Sequence, residues 1–166
     1  MSAEQADATP KASVARVVEA LRAQGFSAEV VEFPVSTRTA ADAASAIGTT
    51  VGQIVKSLVF MAGDTPLVVL ASGANRVDTA RLAARVGVPV RKATAEEVRA
   101  ATGFAIGGVP PMGHTQGSTV LVDRDLLAYQ QVYAAAGTPN SVFGLAPAEL
   151  IRVSGGELAD IKEERG

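Results

Sequence analysis

The chain has 166 residues, 48% of them hydrophobic and 19% charged, which is the composition of a folded globular protein and excludes a disordered chain. A net charge of −2 and a pI near 5.4 argue against a protein that wraps nucleic acid with a strongly basic surface. The sequence contains no cysteine, so thiol catalysis, disulfides and thiolate metal ligands are excluded.

The start of the chain has neither the apolar core of a signal peptide nor a run long enough to span a membrane. We therefore expect a flexible tail over 1–8, one domain over 9–166 and a cytoplasmic location. The first half then predicts a helix from Thr9 to about Gly25, a strand over 27–33 stopped by Pro34, a helix over 39–47, a helical turn over 51–54 and a strand over 55–61.

The second half begins with a hairpin, because the turn residues 63–66 separate two apolar runs. Asp78 caps one helix, and the capping box of Thr94 and Glu97 begins another over 95–101. The remaining pattern predicts strands over 88–91, 119–122, 131–135 and 142–145, a turn at 126–127, a helix from Pro147 and a charged tail over 162–166. Several turns are too short for parallel crossovers, so we predict an α/β (α+β) fold with a mixed sheet of about seven strands flanked by four or five helices.

Lys56 is the most informative residue, because it interrupts the apolar run 54–60 (IVKSLVF). Strand alternation places it on one face with Leu58 and Phe60, and Ser57 on the other face. An unpaired lysine is costly to bury, so a lysine among core-facing residues indicates a binding or catalytic role. The alternative is a strand-edge lysine whose stem covers apolar surface while its amine stays in water.

The segment 107–113 (GGVPPMG) combines glycines, which allow close backbone approach, with prolines, which fix φ and lack an N–H donor. The N–H groups of residues 107, 108, 109, 112 and 113 could hold a carbonyl oxygen that gains charge during acyl transfer. The segment matches neither a Walker loop nor a dinucleotide-binding loop, and a rigid surface turn is the alternative.

Two single residues and one segment complete the candidates. His114, the one histidine, has no nucleophile motif beside it, so neither a catalytic triad nor, without cysteine, a zinc site is expected. Asp123 ends a predicted strand, where it could enter a site or cap the turn at Asp125. The segment 76–99 has six basic residues against three acidic ones and is the best candidate for a phosphate-binding patch, with a solvated helix face as the alternative.

Taken together, the stretches 53–60 (QIVKSLVF), 107–113 and 119–123 (TVLVD) resemble the YbaK/ProX family of aminoacyl-tRNA deacylases, which includes the editing domain inserted in bacterial prolyl-tRNA synthetases. The resemblance extends over about 26–158. It implies a compact, partly barrel-like mixed sheet. It also implies hydrolysis of the ester between a wrong amino acid and the terminal adenosine of a tRNA, in particular tRNA-Pro.

The resemblance also implies roles for individual residues. Lys56 would hold the terminal nucleotide near its phosphate or the substrate carbonyl. The implied catalytic set is Lys56, Gly107, Gly108 and Asp123. The implied substrate-binding set is Phe33, Ser57, Val109, Pro111, Gly113, His114, Asn140 and Ser141.

The implied chemistry needs no metal, no cofactor and no protein nucleophile, because water or a side chain of the misattached amino acid would attack the ester. The implied partners are the acceptor end of the tRNA and a prolyl-tRNA synthetase. We therefore hypothesise a free-standing trans-editing deacylase. A non-catalytic module that binds an aminoacyl or nucleotide group, and an esterase for small acylated metabolites, are the alternatives. The mild acidity predicts a contact restricted to the acceptor end, with shallow salt dependence.

Overall fold

A computed structural model describes residues 10–33 and 39–164. The predicted tail over 1–8, the helix start at Thr9 and the strand stop at Pro34 lie outside the described residues. In chain order the elements are α1 (Pro10–Ala23), β1 (Val30–Glu32), α2 (Ala40–Ile47), β2 (Val55–Ala62), β3 (Thr65–Ser72), α3 (Thr79–Val86), β4 (Val90–Lys92), α4 (Ala95–Thr102), β5 (Thr119–Asp123), β6 (Val132–Ala135), β7 (Ser141–Leu145), α5 (Pro147–Ser154) and β8 (Glu157–Ala159). Short 3₁₀ helices, Val51–Gln53 and Arg124–Ala128, precede β2 and follow β5.

Three helices begin within one residue of their predicted starts, and each follows a capping residue. Thr39 Oγ1 accepts a hydrogen bond from the N–H of Asp42 at 3.0 Å at the start of α2. Asp78 caps α3, and Thr94 and Glu97 form a reciprocal capping box at the start of α4. Such caps satisfy N–H groups that have no partner inside the helix and typically stabilise it by about 1 kcal/mol each.

A five-stranded mixed sheet forms the centre of the fold, with the strand order β4-β2-β3-β5-β8. The hairpin of β2 and β3 is antiparallel and eight residues long on each side, from Val55 opposite Ser72 to Ala62 opposite Thr65. β4 pairs antiparallel with β2, whereas β5 pairs parallel with β3 and β8 pairs parallel with β5. The predicted mixed α/β fold is therefore confirmed.

A second sheet contains three antiparallel strands in the order β1-β7-β6. A single parallel bridge between Ile54 and Tyr133 joins it to the start of β2. The strands thus divide between two sheets, and the described residues contain no closed barrel.

The five-stranded sheet is buried on both faces. Val55, Val59 and Val68 face a large core shared with the three-stranded sheet and with α1, α4 and α5. The opposite face packs against α3 through a cluster that includes Phe60 and Leu82. Lys56 lies on this second face, at the second position of β2. None of the helices in the described ranges has both the length and the apolarity that crossing a membrane requires.

Two sequence predictions need correction in this part of the chain. The strand predicted over 27–33 is shorter and comprises Val30–Glu32. The sequence predicts a charged tail over 162–166, but residues 161–164 dock on the protein, and the edge strand β8 before them was not predicted. The N–H of Asp78 donates to the carbonyl of Ile161 at 2.7 Å, and the N–H of Glu163 donates to the carbonyl of Arg76 at 2.8 Å. Backbone pairing, which sequence polarity does not reveal, holds this segment in place.

Candidate functional site

A cavity of about 570 Å³ opens where the two sheets meet. The start of β2, helix α2, the loop before residue 110 and the turn between β6 and β7 each form one wall. Its lining comprises Thr39, Ala40, Ala41, Ala43, Val51, Ile54, Val55, Lys56, Ser57, Leu58, Gly73, Ile106, Gly107, Val109, Tyr133, Ala135, Thr138, Pro139, Ser141 and Val142. A concave, mostly apolar site with a few polar groups is the usual form of a small-molecule pocket.

Lys56 supplies a positive charge to this cavity. Its side chain is half-buried, and its Nζ donates a hydrogen bond to the backbone carbonyl of Asn75 at 2.7 Å. Burial lowers the pKa of Lys56, the positive charge of Arg76 lowers it further, and the carboxylate of Asp123 opposes the shift. Because its hydrogen-bond partner is a neutral carbonyl, the ammonium charge remains available to an anionic ligand.

Asp123 does not line the cavity. Its carboxyl group is buried, with 2% of the residue exposed, and accepts hydrogen bonds from the N–H of Ser72 at 3.0 Å and from Nδ2 of Asn75 at 2.8 Å. It also accepts from the N–H of Asp125 at 3.0 Å, so the capping role considered for it is present. Asp123 therefore lies beneath the loop that contacts Lys56.

The segment 107–113, called the glycine loop below, closes the cavity on the side opposite Lys56. A Cβ atom at position 108 would lie 2.8 Å from Cα of Thr138 and 2.9 Å from the carbonyl oxygen of Gly137, so glycine allows the loop to pack on the β6–β7 turn. The N–H of Gly108 donates to the carbonyl of Ala105 at 3.0 Å and is used inside the loop. Within the described ranges the N–H groups of Gly107 and Val109 have no hydrogen-bond acceptor, and both residues line the cavity.

The far end of the same loop turns away from the cavity. Pro111 is buried, and Gly113 packs near Ala20 of α1. Nε2 of His114 donates to the carbonyl of Pro110 at 2.8 Å, and burial lowers the pKa of the imidazole. The hydrogen bond of His114 stabilises the loop, and none of Pro111, Gly113 and His114 lines the cavity.

Hydroxyl groups line the wall formed by the β6–β7 turn. Thr138 Oγ1 and Ser141 Oγ lie 2.6 Å apart, and both residues line the cavity. Asn140 does not line it; its Nδ2 donates to the carbonyl of Phe33 at 2.6 Å and ties β1 to the turn. Ser57 lines the cavity, and its buried Oγ has no hydrogen-bond partner among the described residues.

Several residues that line the cavity were not among the candidates predicted from the sequence. Tyr133, Thr138 and Ile106 come from elements far from Lys56 in the sequence, and Ile106 is 58% exposed at the rim. Gly73 had a readable signal, because a glycine directly after a buried strand often marks a close approach of backbones. A Cβ atom there would lie 2.5 Å from the carbonyl oxygen of Val51.

The basic segment 76–99 divides into paired and unpaired cations. Arg81, Arg85 and Arg91 form ion pairs with Glu164, Glu157 and Glu97 at 2.9, 3.0 and 2.7 Å. Arg76 and Lys92 are exposed and form no ion pair within the described part of the chain. Lys92 is opposite Phe60 in the β2–β4 pairing and shares the sheet face of Lys56.

Residues 10–33 and 39–164 contain no cluster of His, Asp and Glu side chains that could hold a metal ion.

Comparison with known proteins shows the family of this chain. The model of the aminoacyl-tRNA editing domain family matches residues 35–153. The uncharacterized protein YwhH of Bacillus subtilis is 35% identical over 127 residues, which are 76% of this chain and 81% of YwhH. A proline–tRNA ligase of Streptococcus pyogenes is 27% identical over 113 residues, and the match spans 67% of this chain but 18% of the ligase.

A solved structure gives the same result at the level of the fold. The crystal structure of a proposed trans-editing enzyme for prolyl tRNA synthetase is 50% identical and superposes with a TM-score of 0.89. The superposition covers 94% of this chain and 99% of that protein.

Proposed function

The chain belongs to the aminoacyl-tRNA editing domain family, and from that premise we propose that it is a deacylase that removes small, wrongly attached amino acids from tRNA-Pro. The observation that supports this best is the half-buried Lys56 in a cavity that is also lined by Gly107 and Val109, whose N–H groups have no acceptor among the described residues. The proline–tRNA ligase relatives and the proposed trans-editing enzyme favour tRNA-Pro over other tRNAs.

In the proposed reaction a water molecule adds to the carbonyl carbon of the aminoacyl ester. The carbonyl oxygen becomes an oxyanion, and the N–H groups of Gly107 and Val109 hold it through hydrogen bonds. The attacking water gives up one proton to solvent as it adds. The intermediate then re-forms its carbonyl, the bond between the acyl carbon and the ribose oxygen breaks, and the ribose oxygen takes up a proton from solvent, which gives the free amino acid and the terminal ribose hydroxyl. Preorganised donors of this kind typically contribute a factor of about 10²–10³ per hydrogen bond to an acyl-transfer rate.

Lys56 contributes a fixed positive charge to this reaction. A half-buried ammonium interacts with a phosphate or an oxyanion more strongly than an ammonium in bulk water does. Its pKa, lowered by burial, sets the alkaline limit: the charged form, and with it the activity, is lost as the pH rises through the pKa of Lys56. We propose no metal in the mechanism, because the described side chains offer no ligand cluster and the polar groups of the cavity can supply the charge stabilisation.

The cavity walls favour a small aminoacyl group. Alanine side chains at positions 40, 43 and 135 and the short side chains of Val109 and Val142 line much of the cavity. A synthetic site separates side chains that differ by one methylene by only about 1–3 kcal/mol, so a small amino acid mistaken for proline needs a second, hydrolytic sieve. Alanine, cysteine and serine are the candidates in this size range.

The acceptor end of the tRNA would approach across Arg76 and Lys92. Arg76 follows Asn75, whose carbonyl contacts Lys56, and Lys92 is level with Phe60, four residues along β2 from Lys56. At about 3.3 Å per residue, Lys92 lies about 13 Å from Lys56 along the strand. The three cations form a short basic strip beside the cavity, which is enough for the phosphates of a few terminal nucleotides.

The test is deacylation of Ala-, Cys-, Ser- and Pro-tRNA-Pro by the wild-type protein. We expect rapid loss of one mischarged species and sparing of Pro-tRNA-Pro. Equal hydrolysis of a simple aminoacyl ester without tRNA would instead support an esterase for small metabolites. Binding of the mischarged tRNA without hydrolysis of any of the four would contradict the deacylase and leave the non-catalytic binding module.

A further inference from the structure

Asn75 connects Lys56 to a buried polar network. Its backbone carbonyl accepts the hydrogen bond of Lys56 Nζ at 2.7 Å. Its side-chain Nδ2 donates to Oδ2 of Asp123 at 2.8 Å and to Oδ2 of Asp125 at 3.0 Å. Both amide hydrogens are therefore used, each by one carboxylate, and the backbone of residue 75 is fixed relative to the end of β5.

The carboxylates of this network are themselves fixed. Asp123 is buried and also accepts the N–H of Ser72 and of Asp125. Asp125 pairs with Lys162 at 2.9 Å, and the hydrogen bonds from Lys162 and Asn75 lower the pKa of the Asp125 carboxyl. Charge-assisted hydrogen bonds to carboxylates are stronger than neutral ones, so Asn75 is held more firmly than an ordinary loop residue.

The C-terminal segment 161–164 completes the arrangement from outside. Val77 and Lys162 form an antiparallel bridge, and backbone hydrogen bonds join Ile161 to Asp78 and Glu163 to Arg76. The loop 73–78 thus lies between the end of β5 and the C-terminal segment. A shift of either would move the carbonyl that contacts Lys56.

We propose that Asn75 is a positioning residue for Lys56 and that the C-terminal segment 161–164, through Lys162 and Asp125, keeps Asn75 in place. This rests on the proposed function of Lys56 in deacylation. A lysine side chain has four rotatable bonds, so a fixed acceptor is needed to hold its ammonium group in one place. A displacement of about 1 Å in a catalytic group can cost up to about 10²-fold in rate.

The test compares Asn75→Ala and Lys162→Gln with the wild-type protein. For Asn75→Ala we expect kcat/KM for the preferred mischarged tRNA-Pro to fall about tenfold or more. We also expect the pKa of Lys56, followed by NMR of its side-chain carbon atoms, to fall, because the backbone carbonyl of residue 75 is no longer anchored to Asp123 and Asp125 and moves away from the ammonium. The charged groups that act on Lys56, namely Arg76, Lys92 and Asp123, are unchanged in both variants. Lys162→Gln changes a surface side chain and should show smaller changes in the same direction.

Arg85→Gln is the matched control, because the Arg85–Glu157 pair has a length of 3.0 Å and an Arg side chain 41% exposed, against 2.9 Å and 43% for Lys162. It should leave both the rate and the pKa of Lys56 unchanged. A folded Asn75→Ala protein with wild-type rate and unchanged Lys56 titration would overturn the proposal. If the wild type hydrolyses no mischarged tRNA, the proposed function fails, and the Lys56 titration still decides whether Asn75 positions the ammonium.

Discussion

Lys56 and the glycine loop face one cavity although they are about fifty residues apart in the sequence. The lysine could be singled out from the sequence because a charge in a buried strand is costly. The role of Asp123 could not be predicted from the sequence, because a carboxylate at the end of a strand can enter a pocket or cap a turn equally well. In the structure Asp123 caps the turn at Asp125. Tyr133 and Thr138 were also beyond prediction, since the pairing that brings β6 and β7 to β2 depends on the whole fold.

At the same scale, the packing of Gly108 gives a prediction. In Gly108→Ala the new Cβ would meet the backbone of Gly137 and Thr138, neither of which can rotate away. We expect the loop to shift, the unfolding free energy to fall by about 1–3 kcal/mol, and kcat to fall as the N–H groups of Gly107 and Val109 move. Thermal unfolding and single-turnover deacylation measure the two effects.

Gly117→Ala is the control for this prediction, because a Cβ atom at position 117 meets nothing within 4 Å. It should leave the rate unchanged and the stability unchanged or slightly higher. If Gly108→Ala is as active and as stable as Gly117→Ala, the loop does not depend on its contact with the β6–β7 turn.

At the scale of the elements, helix starts that depend on local capping residues were predicted more accurately than segments that depend on distant pairing. The caps at Asp78 and Thr94 predict the starts of α3 and α4, because their hydrogen bonds are formed within four residues. β8 and the docked segment 161–164 were missed, because their pairing partners lie far away in the sequence. Polar residues at a sheet edge resemble a solvated tail until the neighbouring strand is known.

Glu97 provides a prediction for α4. Hydrogen bonds from Arg91 and Thr94 lower the pKa of the Glu97 carboxyl to about 2, from an ordinary value of 4.5. The stabilisation that the charged carboxylate gives is therefore present above about pH 4.5 and is lost as the pH falls towards about 2. The Tm difference between wild type and Glu97→Gln should shrink over this range, as thermal unfolding at several pH values would measure.

Glu96→Gln is the matched control, since Glu96 is an exposed acid in the same first turn of α4 but outside the capping box. It tests the general interaction of an acid with the helix dipole. A Tm difference for Glu97→Gln that stays constant from pH 6 to pH 2 would show that the charge of Glu97 does not support the helix.

For the whole molecule, the cavity is a consequence of having two sheets. A single mixed sheet was the sequence prediction, and alternation within strands gives no indication of where one sheet ends and another begins. The bridge between Ile54 and Tyr133 joins the two sheets at the start of β2. Helix α2 and the loop before residue 110 close the remaining sides of the cavity there. The family resemblance, in contrast, was correctly read from three short stretches, and the model of the aminoacyl-tRNA editing domain matches residues 35–153.

The net charge of −2 and the short basic strip predict a weak dependence of tRNA binding on salt. With Lys56, Arg76 and Lys92 as the phosphate contacts, log K should fall with log salt concentration with a slope of about −2, at about −0.7 per contact for a single strand. Arg76→Ala/Lys92→Ala should reduce the slope to about −0.7. Titrations of a labelled tRNA-Pro acceptor stem at several salt concentrations measure these slopes.

Arg85→Ala is the control for charge loss in the same segment, because Arg85 is paired with Glu157. Its slope should equal that of the wild type. A wild-type slope as steep as that of proteins with many phosphate contacts, or an unchanged slope in the double variant, would place the tRNA on another surface.

The most direct test of the central claim is single-turnover deacylation of the preferred mischarged tRNA-Pro by Lys56→Ala, with Lys11→Ala as an exposed lysine control on α1. We predict that Lys56→Ala loses about 10² or more of the wild-type rate while remaining folded, and that Lys11→Ala retains the full rate. A Lys56→Ala protein that deacylates the mischarged tRNA as fast as Lys11→Ala would contradict the assignment of the chemistry to this cavity.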